Sequence, residues 1–168
     1  MVEHVPVMRV RRLSEVPSLR PDGVALVDGY LRLADAWGGE VPDVLPPVLQ
    51  RVVAGFPGDA LPPEGEVLVA EVDGAPVGQV LLVPHSPGVG RLERMYIVEP
   101  RRRQGLGQLL LEEALAVAAT FGHRRVVLDV MPERAGARQL YQRNGFTAIE
   151  PYASYHRPML FLGRDLPP

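Results

Sequence analysis

Residues 91–108 read Arg-Leu-Glu-Arg-Met-Tyr-Ile-Val-Glu-Pro-Arg-Arg-Arg-Gln-Gly-Leu-Gly-Gln. An apolar, strand-like run passes into a basic turn, and the pair Gly105 and Gly107 then opens a helix. The first turn of a helix leaves backbone N–H groups without intrahelical partners, and the helix dipole puts positive potential at the same place. Glycines there let a bulky group approach the main chain without meeting a Cβ. Arg101, Arg102 and Arg103 add cations where cations alone oppose the dipole, so an anion is needed to offset them. The chemistry that fits is binding of a pyrophosphate. A Rossmann fingerprint would need glycine at position 110, which is leucine, and a P-loop would need a lysine.

Other residue types are limiting. The 168-residue chain has no cysteine, and all eighteen of its basic residues are arginine. Thiolate metal sites, cysteine nucleophiles, disulfides and Schiff-base lysines are excluded. No three-histidine arrangement is visible, so no metal is expected. The net charge of −2 argues against a nucleic-acid partner. No apolar run has the length of a membrane span. A cytoplasmic location and a single domain over residues 1–168 are expected.

The elements that must position these residues follow from periodicity and turn signals. A short strand over Val7–Leu13 precedes a helix capped by Asp22 and running through Trp37. A weaker helix follows over Asp43–Val53. Strands Val67–Val72 and Val77–Val83 flank an Asp73-Gly74 turn, and Pro84–Gly90, with His85, reads as a loop. Strand Leu92–Val98 leads into the basic turn. The helix from Leu106 stops at Gly122. Then come strand Arg125–Val130, helix Ala135–Arg143, a strand start at Phe146–Ile149 and a last strand at Met159–Leu162. The order β-α-α-β-β-β-α-β-α-β-β indicates an α/β fold on a mixed, largely antiparallel sheet flanked by helices.

Arg102-Arg103-Gln104-Gly105-Leu106-Gly107 resembles the R/Q-x-x-G-x-G/A signature of the GNAT superfamily of N-acetyltransferases. Ala137 to Phe146 is similar to a second family motif, A-x-x-L-Y-x-x-x-G-F. One helix and one strand separate the two motifs, as in the family. The similarity runs from about Val67 to Leu166.

The resemblance implies a GNAT fold with splayed central strands and an acetyl-CoA site. The freed backbone at Met95, Tyr96 and Ile97 would meet the pantetheine arm. The amides of Arg103, Gln104, Gly105, Leu106, Gly107 and Gln108 would hold the pyrophosphate, with Arg102 and Arg103 near the 3′-phosphate. Arg134 stands where the family usually has Asn, and Ala137 begins the second motif; both are assigned to the cofactor. Tyr141 matches the family's proton donor. Glu93 is the candidate base, expected on one strand face with Met95 and Ile97; an equal alternative makes it the partner of Arg91 or Arg94. Family members often carry the base two residues earlier, where Arg91 stands. His85 is a further base candidate. The implied reaction is direct attack of an amine on the acetyl carbonyl in a ternary complex. The Ile97 N–H would face the carbonyl oxygen. The acceptor is a small-molecule or peptide amine; Tyr30, Trp37, Tyr152 and Tyr155 are candidates to line its pocket, with core packing the default for each, and His156 is nearby. A homodimer is a family-based expectation. The alternatives are a non-catalytic acyl-CoA sensor and an unrelated α/β nucleotide binder.

Overall fold

The computed structural model describes residues 3–36 and 39–168. Strand β1 (Met8–Arg12) is followed by helices α1 (Arg20–Ala36) and α2 (Pro47–Ala54). Strands β2 (Glu66–Val72), β3 (Ala75–Ser86) and β4 (Val89–Ile97) precede helix α3 (Leu106–Thr120). Strand β5 (Arg125–Val130), helix α4 (Ala135–Arg143) and strands β6 (Thr147–Ala148) and β7 (Leu160–Asp165) complete the chain. The predicted order of elements is the observed one. The strands form one sheet in the order β1-β2-β3-β4-β5-β7-β6. Every pairing is antiparallel except that of β4 with β5.

Helices cover both faces of the sheet, which is why β2 is buried at all seven positions instead of alternating. Leu68, Ala70 and Val72 pack into one core with Leu110, Leu111, Ala114 and Ala118 of α3. Val67 and Val69 face the other way, into a second core with Leu26, Val27 and Leu31 of α1. Gly29 of α1 has a packing role: a Cβ there would lie 3.1 Å from the Tyr96 ring. Its absence lets α1 approach β4.

Several boundaries differ from expectation. Helix α1 starts at Arg20, after a 3-10 turn at Pro17–Leu19, so Asp22 sits inside the first turn and is not the cap. Trp37 lies outside the described residues. Helix α2 begins at Pro47 because a residue preceding proline disfavours the helical conformation. The expected loop over 84–90 is a hairpin instead. Ser86 pairs with Val89 across Pro87 and Gly88, and Gly88 has φ 75°. Proline then glycine at positive φ suits a two-residue turn of type II, and His85 therefore stands on β3.

Two irregularities shape the site. Leu81 pairs with Glu93, whereas Gln79 pairs with Tyr96, so Arg94 and Met95 oppose Val80 alone. This is a β-bulge, and Arg94 has φ 51°, in the left-handed region. The second lies on the other side of β4. It pairs with β5 only at Val89–Arg125, Gly90–Val126 and Arg91–Val127. Beyond Arg91 the two strands part.

Candidate active site

Where β4 and β5 separate, a cavity of ≈ 540 Å³ opens, lined by both strands and by α1, α2 and α4. A neighbouring cavity of ≈ 450 Å³ lies towards α2 and shares Arg91, Glu93 and Arg94 with the first. The edge of β4 that β5 leaves carries free backbone groups. Val98 donates to Val77 across β3 at 2.9 Å. Antiparallel pairs alternate, so Ile97, opposite Gly78, belongs to a pair without ladder bonds and its N–H and C=O point to the open side. Arg102 Nε donates to that Ile97 carbonyl at 2.9 Å, and its guanidinium lies 5.8 Å from the Tyr96 ring. Arg102 is thus tied to the strand end.

The basic turn continues into α3. Gly105 is the N-terminal flanking residue, with φ 87°. Arg103 also has positive φ, 61°. Among the described residues, the backbone amides of 103–108 donate to no protein acceptor. A Cβ on Gly105 would meet nothing within 4 Å, so the chain is open to approach at that residue, whereas one on Gly107 would lie 3.3 Å from Leu140. Unbonded amides, an open approach and the dipole of a 15-residue helix together suit an anionic diphosphate. Of the three arginines, Arg101 differs from expectation. It is close enough to Asp73 to help lower that carboxyl's pKa, on the β2–β3 turn. Gln108 is held by a reciprocal amide pair with Asn144 (2.9 and 2.8 Å), which joins the start of α3 to the end of α4.

Tyr141 lines the main cavity from α4, and Ala137 stands one turn before it. The tyrosine is only 6% exposed, and its hydroxyl has Met95 Sδ as its partner at 3.6 Å. Burial pushes the phenol well above the ordinary tyrosine value, so it holds its proton across the physiological range. Arg134 lies 5.8 Å from the Tyr30 ring, in the same cavity.

Glu93 does not share a face with Met95 and Ile97. Its partner Leu81 belongs to the α1-side core, whereas Met95 and Ile97 pack against the α3-side core. The bulge at Arg94 adds one residue and reverses the alternation. Glu93 is paired with Arg91 through one carboxylate oxygen and with Arg94, at 3.1 Å, through the other. His85 lies 4.7 Å from the Tyr152 ring; partial burial and then nearby Arg91 lower its pKa.

Asp129 was not singled out by sequence reasoning. The hydroxyls of Tyr152 and Tyr155 donate to its Oδ2 at 2.9 and 3.1 Å. The available signal was a carboxylate inside the otherwise apolar Val-Val-Leu-Asp-Val strand. Burial and then Asp129 raise the pKa of both phenols. Tyr30 and His156 also line the cavity.

A sheet that parts beside a glycine-containing helix start agrees with the splayed strands that the family resemblance implies. Residues 31–146 match the sequence model of the acetyltransferase (GNAT) family, and the chain belongs to that family. It is 34% identical over 86 residues to a mycothiol acetyltransferase of Beutenbergia cavernae, covering 51% of this chain and 29% of that protein. It is 30% identical over 84 residues to an uncharacterized N-acetyltransferase of Mycobacterium tuberculosis, covering 50% of this chain and 54% of that one. The matches thus span less than two thirds of these relatives' length. Among solved structures, a GNAT acetyltransferase of Staphylococcus aureus superposes with TM-score 0.75 at 15% identity, covering 96% of this chain and all of that one. A Salmonella typhimurium protein solved with its cofactor acetyl-CoA gives TM-score 0.70 at 18% identity, covering 95% and 94%. These structural likenesses show the fold.

Proposed function

We propose that the chain is an acetyl-CoA-dependent N-acetyltransferase that passes the acetyl group directly to an amine while both substrates are bound. The observation that carries this reading is the set of unbonded amides at residues 103–108 beside the gap between β4 and β5. The donor set fits the ligand. Amides from Arg103 to Gln108 suit the diphosphate, with Arg103 beside them. The open edge of β4 at Met95 and Ile97 suits the amide-bearing arm, whereas Tyr96, in the bonded pair with Gln79, turns its backbone towards β3 and not, as expected, towards the arm. When bound, the thioester supplies an electrophilic carbonyl and a thiol leaving group.

The residues divide the proton work. The Ile97 N–H faces the open side, where it stabilises negative charge developing on a carbonyl oxygen. Tyr141 keeps its proton through burial and supplies it to the departing sulfur. Asp129 Oδ2 accepts from two tyrosines, while its Oδ1 has no bond among the described residues. Asp129 therefore receives the acceptor's ammonium and draws off its proton. Glu93, whose two oxygens are paired with arginines, holds those arginines in place. The C–N bond forms as the C–S bond breaks. From ammonium to amide the nitrogen loses two protons, one to Asp129 before attack and one as the C–N bond forms. Tyr141 gives one proton to sulfur and regains the second, and the first passes from Asp129 to solvent, so the exchange balances.

Thiol release from acetyl-CoA across a broad amine panel tests this reading. Acceptor-dependent release supports it. Binding of acetyl-CoA without acceptor-dependent release favours a sensor. Preference for ATP or NAD over acetyl-CoA in competition contradicts the cofactor assignment.

A further inference from the structure

The two cavities meet at Arg91, Glu93 and Arg94, and this junction has more positive charge than its carboxylate can neutralise. One carboxylate serves two guanidiniums there. Arg91 Nε is buried without a hydrogen-bond partner among the described residues. Such a donor costs free energy unless something accepts from it. Four arginines and three carboxylates line the main cavity. Asp129 lines the same cavity, its Oδ1 unbonded among the described residues. So two arginines and a carboxylate with a free oxygen line one space. A polycationic acceptor would meet two arginines and a carboxylate already spent on them. Leu31 of α1 and Val48 and Leu49 of α2 add apolar surface to the lining.

We infer that the acceptor is a small primary amine that also bears a carboxylate, its carboxylate held by Arg91 and Arg94 and its ammonium by Asp129. The inference rests on the acetyltransferase reading above and narrows its substrate class. The apolar surface of α1 and α2 would cover an apolar body between the two charged ends.

Matched sets of amines test it. L-leucine, 3-methylbutylamine and leucinamide share one apolar body and differ at the carboxylate; L-tyrosine, tyramine and tyrosinamide form a second set. Thiol release from acetyl-CoA is followed with each. Hydrogen bonds to a charged group are worth about 1.5–3 kcal/mol, or roughly 10- to 150-fold. We expect kcat/KM for at least one amino acid to exceed that of its decarboxylated amine and its amide by such a factor, mainly through KM. The preference should shrink in Arg91→Gln and Arg94→Gln, with acetyl-CoA affinity measured by calorimetry as the check on folding. Equal or better turnover of the uncharged-end amines overturns the inference and leaves the acetyltransferase reading standing. A carboxylate preference that persists in both variants overturns the assignment to these arginines. Absence of turnover with every amine, despite bound acetyl-CoA, overturns both readings together.

Discussion

The two flanks of β4 behave differently. Towards β3 it is paired along almost its whole length, from Val89 to Ile97, interrupted by the bulge. Towards β5 it is paired at three residues and then leaves. The β2–β3 side is packed to near-zero exposure against α3, with Leu68, Val80, Leu82, Leu110 and Leu111 all buried. The β4–β5 side holds a cavity, a buried phenol and charged side chains. One flank spends its backbone groups and apolar surface on stability. The other withholds them, and the withheld amides are what a ligand can use. Function in this fold is therefore read from where pairing stops.

Substitutions on the two flanks should separate stability from activity. The largest effect is expected at Leu110→Ala, in the closed core. Truncating a fully buried leucine costs about 2–5 kcal/mol, measurable as a lowered denaturant midpoint. Next is Tyr141→Phe on the open flank. Loss of a positioned acid costs about 10²–10³-fold in kcat, with acetyl-CoA affinity little changed. Among the described residues its hydroxyl has only a sulfur partner, so the denaturant midpoint should hardly move. A midpoint shift as large as that of Leu110→Ala would break the contrast between the flanks. Unchanged kcat would remove Tyr141 from the chemistry.

Gly105→Val comes third. A β-branched residue at φ 87° is strained by about 1–2 kcal/mol, and its side chain would stand in the open approach to the amides. The Kd for acetyl-CoA should rise roughly tenfold or more. An unchanged Kd would mean that the approach is not used.

The smallest effect lies on neither flank. Hydrogen bonds from His4 and then from the Val7 amide hold the Asp73 carboxyl below its ordinary value, with Arg101 nearby. A depressed carboxylate pKa contributes stability above the ordinary value of 3.8, and the contribution is lost as pH falls through the lower folded value. Thermal midpoints of the wild type and Asp73→Asn should therefore converge as the pH is lowered below about 4. A gap that persists there would assign the effect to the turn's geometry and not to charge.

Much of this was legible in the sequence, for identifiable reasons. The edges of β5 and α4 follow from an apolar run closed by proline and from a helix closed by glycine, and both were placed to the residue. The helix start at Leu106 follows from the glycine pair. What was not legible depends on non-local backbone geometry. No residue type signals a left-handed φ at an arginine, so Arg94 hid the bulge, and with it the face of Glu93. The count of three ladder pairs between β4 and β5 is set by how the two strands diverge, not by their composition. Asp129 gains its meaning from Tyr152 and Tyr155, 23 and 26 positions away. The three consecutive arginines read as one patch, yet Arg102 turns back to Ile97 and Arg101 lies near Asp73.

The most direct test follows backbone amide signals by ¹H–¹⁵N NMR during titration with CoA. The amides of Arg103 to Gln108 should shift together and saturably, with that of Ile97 on the open edge. Signals from the β2–β3 ladder should stay in place. If the amides of 103–108 remain still while CoA binding perturbs another face, the diphosphate site assigned to the start of α3 is wrong.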